Sequence, residues 1–189
     1  SDLQADIVAD LVRAGIAVHV FNQRDVAGIL AMIRPLAAMV GAADRGEQLA
    51  AGYEQRLAAI GATPRPAPRP KVYFEEWDDP LISGIGWVSE LIEIAGGADA
   101  LPHLRAHKAA RDRIVSAEAV REAMPDVILA SWCGKKVVPD RIRRRDGWND
   151  VPAVRNDRIV EIKSDHPAAW PRRADRWARC DREGVVGEC

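Results

Sequence analysis

Four prolines, Pro64, Pro66, Pro68 and Pro70, fall within the ten residues 61–70, and no other feature of the chain restricts its fold as strongly. Proline fixes φ and lacks a backbone N–H, so this stretch can enter neither a helix interior nor a central strand. It reads as a stiff, extended connector. A connector of that kind divides the 189 residues into two series of elements. A chain of this length holds one large or two small domains with a real hydrophobic core.

Before the connector, Leu3, Ile7, Val8, Leu11 and Val12 recur at helical spacing, predicting a helix over 2–14 closed by Gly15 as a left-handed cap. Residues 16–21, from Ile16 to Phe21, form a short apolar run without alternation, the pattern of a strand buried on both faces of a parallel sheet. Helix then strand is half of an α/β repeat, and it predicts a further strand ahead of Ser1. Helices are expected over 26–40 and 44–60. After the connector the spacing predicts a strand over 71–75, a loop over 76–86 and a helix over 87–95 ended by Gly96 and Gly97. A helix over 117–123, a strand over 127–130 and a helix over 141–145 follow. Residues 151–154 read as a short edge strand and 158–162 as a last strand. The alternation implies an α/β fold with parallel sheets.

Composition narrows the function classes. Basic and acidic residues balance to a formal charge of −1, which gives no general pull toward nucleic acid or anionic lipid. Three cysteines, Cys133, Cys180 and Cys189, are too few and too clustered for a disulfide framework. No stretch approaches the roughly 20 apolar residues of a membrane span, and the first residues lack the order of a signal peptide. Six tryptophans outnumber phenylalanine and tyrosine together, and 22 arginines stand against five lysines.

Ligands of open α/β sheets sit at the carboxyl ends of strands, so the loops after residues 21, 75, 130 and 162 are where function is expected. One carries Trp77-Asp78-Asp79-Pro80 and runs on through Ser83-Gly84 to Trp87; another carries Trp132-Cys133. The strand and loop Val72-Tyr73-Phe74-Glu75-Glu76-Trp77-Asp78-Asp79-Pro80 and the helix ending Glu93-Ile94-Ala95-Gly96-Gly97 are the first of an ordered set of motifs. Ile114-Val115-Ser116-Ala117-Glu118, Met124-Pro125-Asp126-Val127-Ile128-Leu129 and Val151-Pro152-Ala153-Val154 follow.

In that order they resemble the helical-backbone periplasmic binding proteins of ABC importers, which capture cobalamin, heme and ferric siderophores, and most strongly the cobalamin-binding members. The resemblance implies two three-layer α/β lobes with parallel sheets joined by a long helix, the first lobe incomplete. Residues 1–43 would be the remainder of that lobe, 44–70 the joining helix and connector, and 71–164 the second lobe. It implies binding without chemistry and no intrinsic cofactor, with cobalamin or another metal chelate as ligand and a periplasmic or extracytoplasmic location. Wide aromatic faces suit a large flat ligand. Phe21, Asn22, Trp77, Asp78, Trp87, Trp132 and Cys133 are the expected ligand-binding residues; for the tryptophans the alternative is a place in the core. Glu118 stands where a glutamate that docks on the permease is expected, although an acid in a helix first turn capped by Ser116 has a purely local rationale.

An α/β enzyme using the same loops, with Asp78, Asp79 and Cys133 as catalytic groups, is the competing reading. His103 and His107, four apart, have a zinc-like spacing but read as solvated. Cys133 reads as a small buried residue. Lys135 and Lys136, with Arg141, Arg143, Arg144 and Arg145, make a basic patch whose plainest role is a solvated helix face. After Ser164 the pattern changes: residues 165–180 show neither helical stripe nor strand. Their codons, read from the second base, permit a peptide with a Pro-Gly turn and a helix start, which predicts a frameshift near Ser164.

Overall fold

The computed structural model describes residues 2–65, 67–133 and 135–163. The expected tail over 165–189, with Trp170, Trp177, Cys180 and Cys189, lies outside the described residues. Three helices precede the connector: α1 (Asp2–Arg13), α2 (Val26–Met39) and α3 (Ala43–Gly61). Gly15 closes α1 at φ +77°, where the Ile16 N–H reaches back to the Leu11 carbonyl at 3.0 Å, the bond that takes up a carbonyl left over at a helix end. Asp25 caps α2, its carboxylate accepting from the Gly28 N–H at 2.6 Å. The two long helices pack as a hairpin at Gly46, where a Cβ would lie 2.3 Å from that of Ala37, so only glycine permits this approach.

Residues 16–21 do not form the expected strand. Ile16 and Val20 are about half exposed, and no described strand pairs with this segment; an apolar run becomes a strand only where another strand satisfies its backbone.

Beyond the connector lies a five-stranded sheet built on β1 (Lys71–Asp78). On one side β1 pairs in parallel with β4 (Val127–Ala130), which pairs in parallel with β5 (Ile159–Glu161). On the other, its start pairs in parallel with β3 (Ala98–Asp99) and its end antiparallel with β2 (Leu81–Ser83). The sheet is therefore mixed, mostly parallel, rather than wholly parallel. The expected loop over 76–86 is in part this hairpin, in which β1 runs three residues further than its apolar core and turns at Asp79-Pro80.

Alternate residues of the strands feed two separate cores. Val72, Phe74, Val127 and Leu129 pack with Val88 and Ile92 of α4 (Gly86–Ile94). Tyr73, Ile128 and Ala130 pack on the other face with Val120 of α5 (Ala117–Ala123), Ile142 of α6 (Pro139–Arg143), Ala153 of α7 (Pro152–Arg155) and the indoles of Trp132 and Trp148. Burial on both faces explains the continuous apolar runs and makes a three-layer α/β/α unit.

The edge strand expected over 151–154 is instead α7. Pro152 occupies its first turn, where the missing N–H costs no bond and the fixed φ suits a helix. Asp157, at φ 54°, then turns the chain into β5. No helix among the described residues is long and apolar enough to cross a membrane.

Candidate functional site

At the carboxyl edge of the sheet, three carboxylates near the end of β1, those of Glu75, Glu76 and Asp78, are paired with separate cations. Glu75 is fully buried. Trp132 Nε1 donates to its Oε1 at 3.0 Å, and Arg145 clamps it from both guanidinium ends at 2.6 and 2.9 Å. A carboxylate held away from water requires such partners. Arg145 also lies over the Trp148 ring, 4.6 Å from its centroid. The neighbouring Tyr73 hydroxyl is enclosed without a hydrogen-bond partner among the described residues; burial first and the Glu75 charge second push its pKa well above the ordinary tyrosine value.

Glu76 points to the other side and binds the buried Arg113 at 2.7 and 3.3 Å. That guanidinium also donates to the Ser83 carbonyl, tying residues 110–114 to β2. Asp78, with a side chain only 2% exposed, accepts a hydrogen bond from Lys135 Nζ at 2.7 Å, and its Oδ2 forms an ion pair with Arg141 Nη1 at 2.8 Å without hydrogen-bond alignment. The Lys135 ammonium lies 5.0 Å from the Trp77 ring centroid and 5.2 Å from that of Trp132, and Arg141 lies 5.7 Å from the latter. Trp77 is half-buried, its Nε1 donating to the Asp79 carbonyl at 2.9 Å.

The structure thus brings Trp77, Asp78, Trp132 and Cys133 to one edge. Trp132 is 1% exposed, with its indole N–H engaged by Glu75, so it takes the core place rather than offering an open face. Cys133 is exposed, not buried as its residue type suggested. Trp87 opens α4 and packs against the core on the opposite sheet face, because the hairpin between it and Trp77 carries the chain past the sheet edge. Phe21, half-buried and in tilted contact with His19 at 4.5 Å, and the exposed Asn22 lie in the irregular segment before α2. That segment meets the sheet unit at α4, where the Val26 N–H donates to Glu90 at 2.8 Å.

Glu118 is exposed in the first turn of α5, where Ser116 accepts from the Ala119 N–H at 3.0 Å and Arg121 approaches the carboxylate at 3.3 Å. His103 lies in a 3₁₀ turn and His107 beyond it, so the two share no helix face. Among the described residues no cluster of three or more His, Cys, Asp or Glu side chains could hold a metal.

The basic run is a solvated face only in part. Lys136 and Arg144 are exposed; Lys135 and Arg141, also exposed, reach down to Asp78, Arg145 is enclosed on Glu75, and Arg143 binds Asp140 and Asp157. The signal for this was present. Glu75 continues an apolar strand at an inward position, and such a carboxylate demands a cation from elsewhere in the chain.

Residues 1–166 match the family of periplasmic binding proteins. This chain belongs to that family. Its members bind rather than catalyse, which sets aside the enzyme reading of Asp78, Asp79 and Cys133; Asp78 is in any case committed to two cations. The fold is similar to an ABC transporter substrate-binding protein from Listeria monocytogenes, at 15% identity and a TM-score of 0.71 over 95% of this chain and 73% of that one. It is similar to the periplasmic heme-binding protein RhuT from Roseiflexus, at 25% identity and a TM-score of 0.69 over 91% and 68%. The periplasmic vitamin B12 binding protein BtuF of Vibrio cholerae matches at 19% identity and a TM-score of 0.64 over 95% and 71%. Among curated protein sequences there is no significant match.

Proposed function

We propose that this family member is the solute-binding component of an ABC importer that captures cobalamin or a related flat metal chelate such as heme. The observation that carries the reading is the carboxyl edge of the sheet, where a half-buried Trp77 stands beside a cation held on a buried carboxylate. An aromatic face supplies large contact area at low entropic cost, as a wide ligand needs. Asp78 and Cys133 belong to the same edge; Trp132 supports it from beneath, and Phe21, Asn22 and Trp87 would contribute from the adjoining segments.

In this reading residues 71–164 form the second of two lobes, 44–70 the joining helix and connector, and 1–43 part of the first lobe. The ligand sits between the lobes as cargo, not as a resident cofactor. Glu118, exposed on α5, meets an arginine of the permease, and the protein works in the periplasm or an equivalent extracytoplasmic space. The similarity to heme- and vitamin B12-binding proteins supports the ligand class.

Titration with cyanocobalamin and with hemin tests the reading. Binding is expected to shift the absorbance of one of them and to raise the unfolding midpoint, the stabilisation reaching about 2.7 kcal/mol at a hundredfold excess over Kd. If neither chelate changes its spectrum nor stabilises the protein, the proposal fails.

A further inference from the structure

At the strand-end edge Asp78 is a single carboxylate with two cations on it. Of the other acids nearby, Glu75 is engaged by Arg145, Glu76 by Arg113, Asp140 by Arg143 and Glu161 by the Val137 N–H. The Asp78 side chain is 2% exposed, whereas those of Lys135 and Arg141 are 39% and 53% exposed. The anion thus lies beneath and the cations face outward. Only Nη1 of Arg141 reaches Asp78, and its remaining N–H groups have no partner among the described residues. A free surface arginine loses rotamer freedom when it binds; one already pinned through Nη1 has lost part of that freedom in the unliganded fold.

We propose that Lys135 and Arg141, ordered by Asp78, form an anion-recognising edge beside Trp77 that takes a carboxylate or phosphate carried on the rim of the ligand. This rests on the reading of the edge as a chelate-binding surface. The Lys135 ammonium lies over the Trp77 ring, 5.0 Å from its centroid, so a ligand rim laid along the exposed edge of that indole comes within its reach. The planar guanidinium then offers the paired N–H groups that match either oxyanion. Asp79 is exposed and has no ion-pair partner among the described residues, and its backbone carbonyl accepts from Trp77 Nε1. The edge accordingly prefers ligands with an anionic substituent over neutral analogues of the same shape, and the preference weakens with salt.

Two ligand pairs test this without altering the protein. Hemin is compared with its dimethyl ester, which lacks free carboxylates, and cyanocobalamin with dicyanocobinamide, which lacks the phosphate together with the rest of the nucleotide loop. In at least one pair the member bearing the oxyanion is expected to bind about tenfold or more tightly, and Arg141→Gln, which separates the oxyanion from the other groups lost, to reduce that ratio toward one. A preference in the heme pair identifies a carboxylate, and one in the corrinoid pair a phosphate; either supports the edge. Equal affinities within both pairs, or a preference unchanged in both Arg141→Gln and Lys135→Gln, overturn the anion site and leave the chelate surface standing. Failure of all four probes to bind overturns both.

Discussion

Two arginine clamps of nearly identical chemistry sit in the two halves of the molecule, and they do different work. Arg34 of α2 grips Glu47 and Glu54 of α3 at 2.7 and 2.9 Å, with all three side chains at least 35% exposed. Arg145 grips Glu75 at 2.6 Å, with the carboxylate fully enclosed. The surroundings differ in the same sense. Among the described residues every buried hydrophobic side chain except Ala50 lies beyond the connector, whereas eight exposed large hydrophobics, among them Ile7, Val20, Leu36 and Val40, lie before it. The sheet unit buries its apolar surface on both faces by itself. The helical half, in which α2 has no buried residue, does not cover its own within the described residues.

The difference is broken or upheld most directly at Arg145. Removing one partner of a buried pair leaves an uncompensated charge, so Arg145→Ala is expected to cost about 3–5 kcal/mol in urea unfolding. The double replacement Glu75→Gln with Arg145→Met should recover most of that loss, because no ion is left buried and the amide oxygen still accepts from Trp132 Nε1. A loss below about 1 kcal/mol for the single variant would mean that Glu75 is reached by water, and the two clamps would then be alike.

A smaller effect is expected at Tyr73, in the same core. Its hydroxyl has no partner among the described residues, so Tyr73→Phe should be neutral or slightly stabilising at pH 7. Burial, aided by the Glu75 charge and opposed by Arg145, raises its pKa above the ordinary value near 10. The unfolded chain therefore loses the phenolic proton first. Tyr73 leaves stability intact below about pH 10 and lowers it as pH rises toward the folded value. The measurement is the stability difference between the native protein and Tyr73→Phe from pH 8 to 11. It should be flat at first and then move in favour of phenylalanine; no divergence would show that the hydroxyl is solvated.

The sheet unit was the more readable half for the same physical reason that it buries its own core. β4 and α5 fall where their apolar runs place them, because both ends of each are punctuated, by Ser116 as a cap and by Met124-Pro125 between them. Residues 16–21 have an equally strong strand pattern and form none, since pattern specifies a surface to be buried and not the partner that buries it. At 151–154 the apolar count pointed to a strand, and the proline in the first helical turn decided otherwise. In the candidate site Trp77 was identifiable from residue type and loop position. The pairing of Asp78 with Lys135 and Arg141 joins residues more than fifty positions apart, and only β1 and β4 lying side by side makes it.

The smallest effect belongs to the exposed clamp. Hydrogen bonds from Arg34 hold Glu47 below the ordinary carboxylate range, against the opposing effect of burial. A carboxylate with a lowered folded pKa contributes stability that is present above the unfolded value and lost as pH falls through the folded one. For Glu47 that window lies below about pH 4.3. Both partners are solvated, so screening should remove most of the contribution. Arg34→Ala is expected to destabilise measurably less than Arg145→Ala, and the deficit should shrink between low salt and 1 M NaCl, where the Debye length falls to about 3 Å. The test is a pair of urea titrations at each salt concentration for the two variants. The Arg145 deficit should be almost independent of salt, because water and counterions do not reach Glu75. If the two deficits fall in parallel, exposure does not separate the clamps, and the helical hairpin is held by electrostatics to the same degree as the sheet.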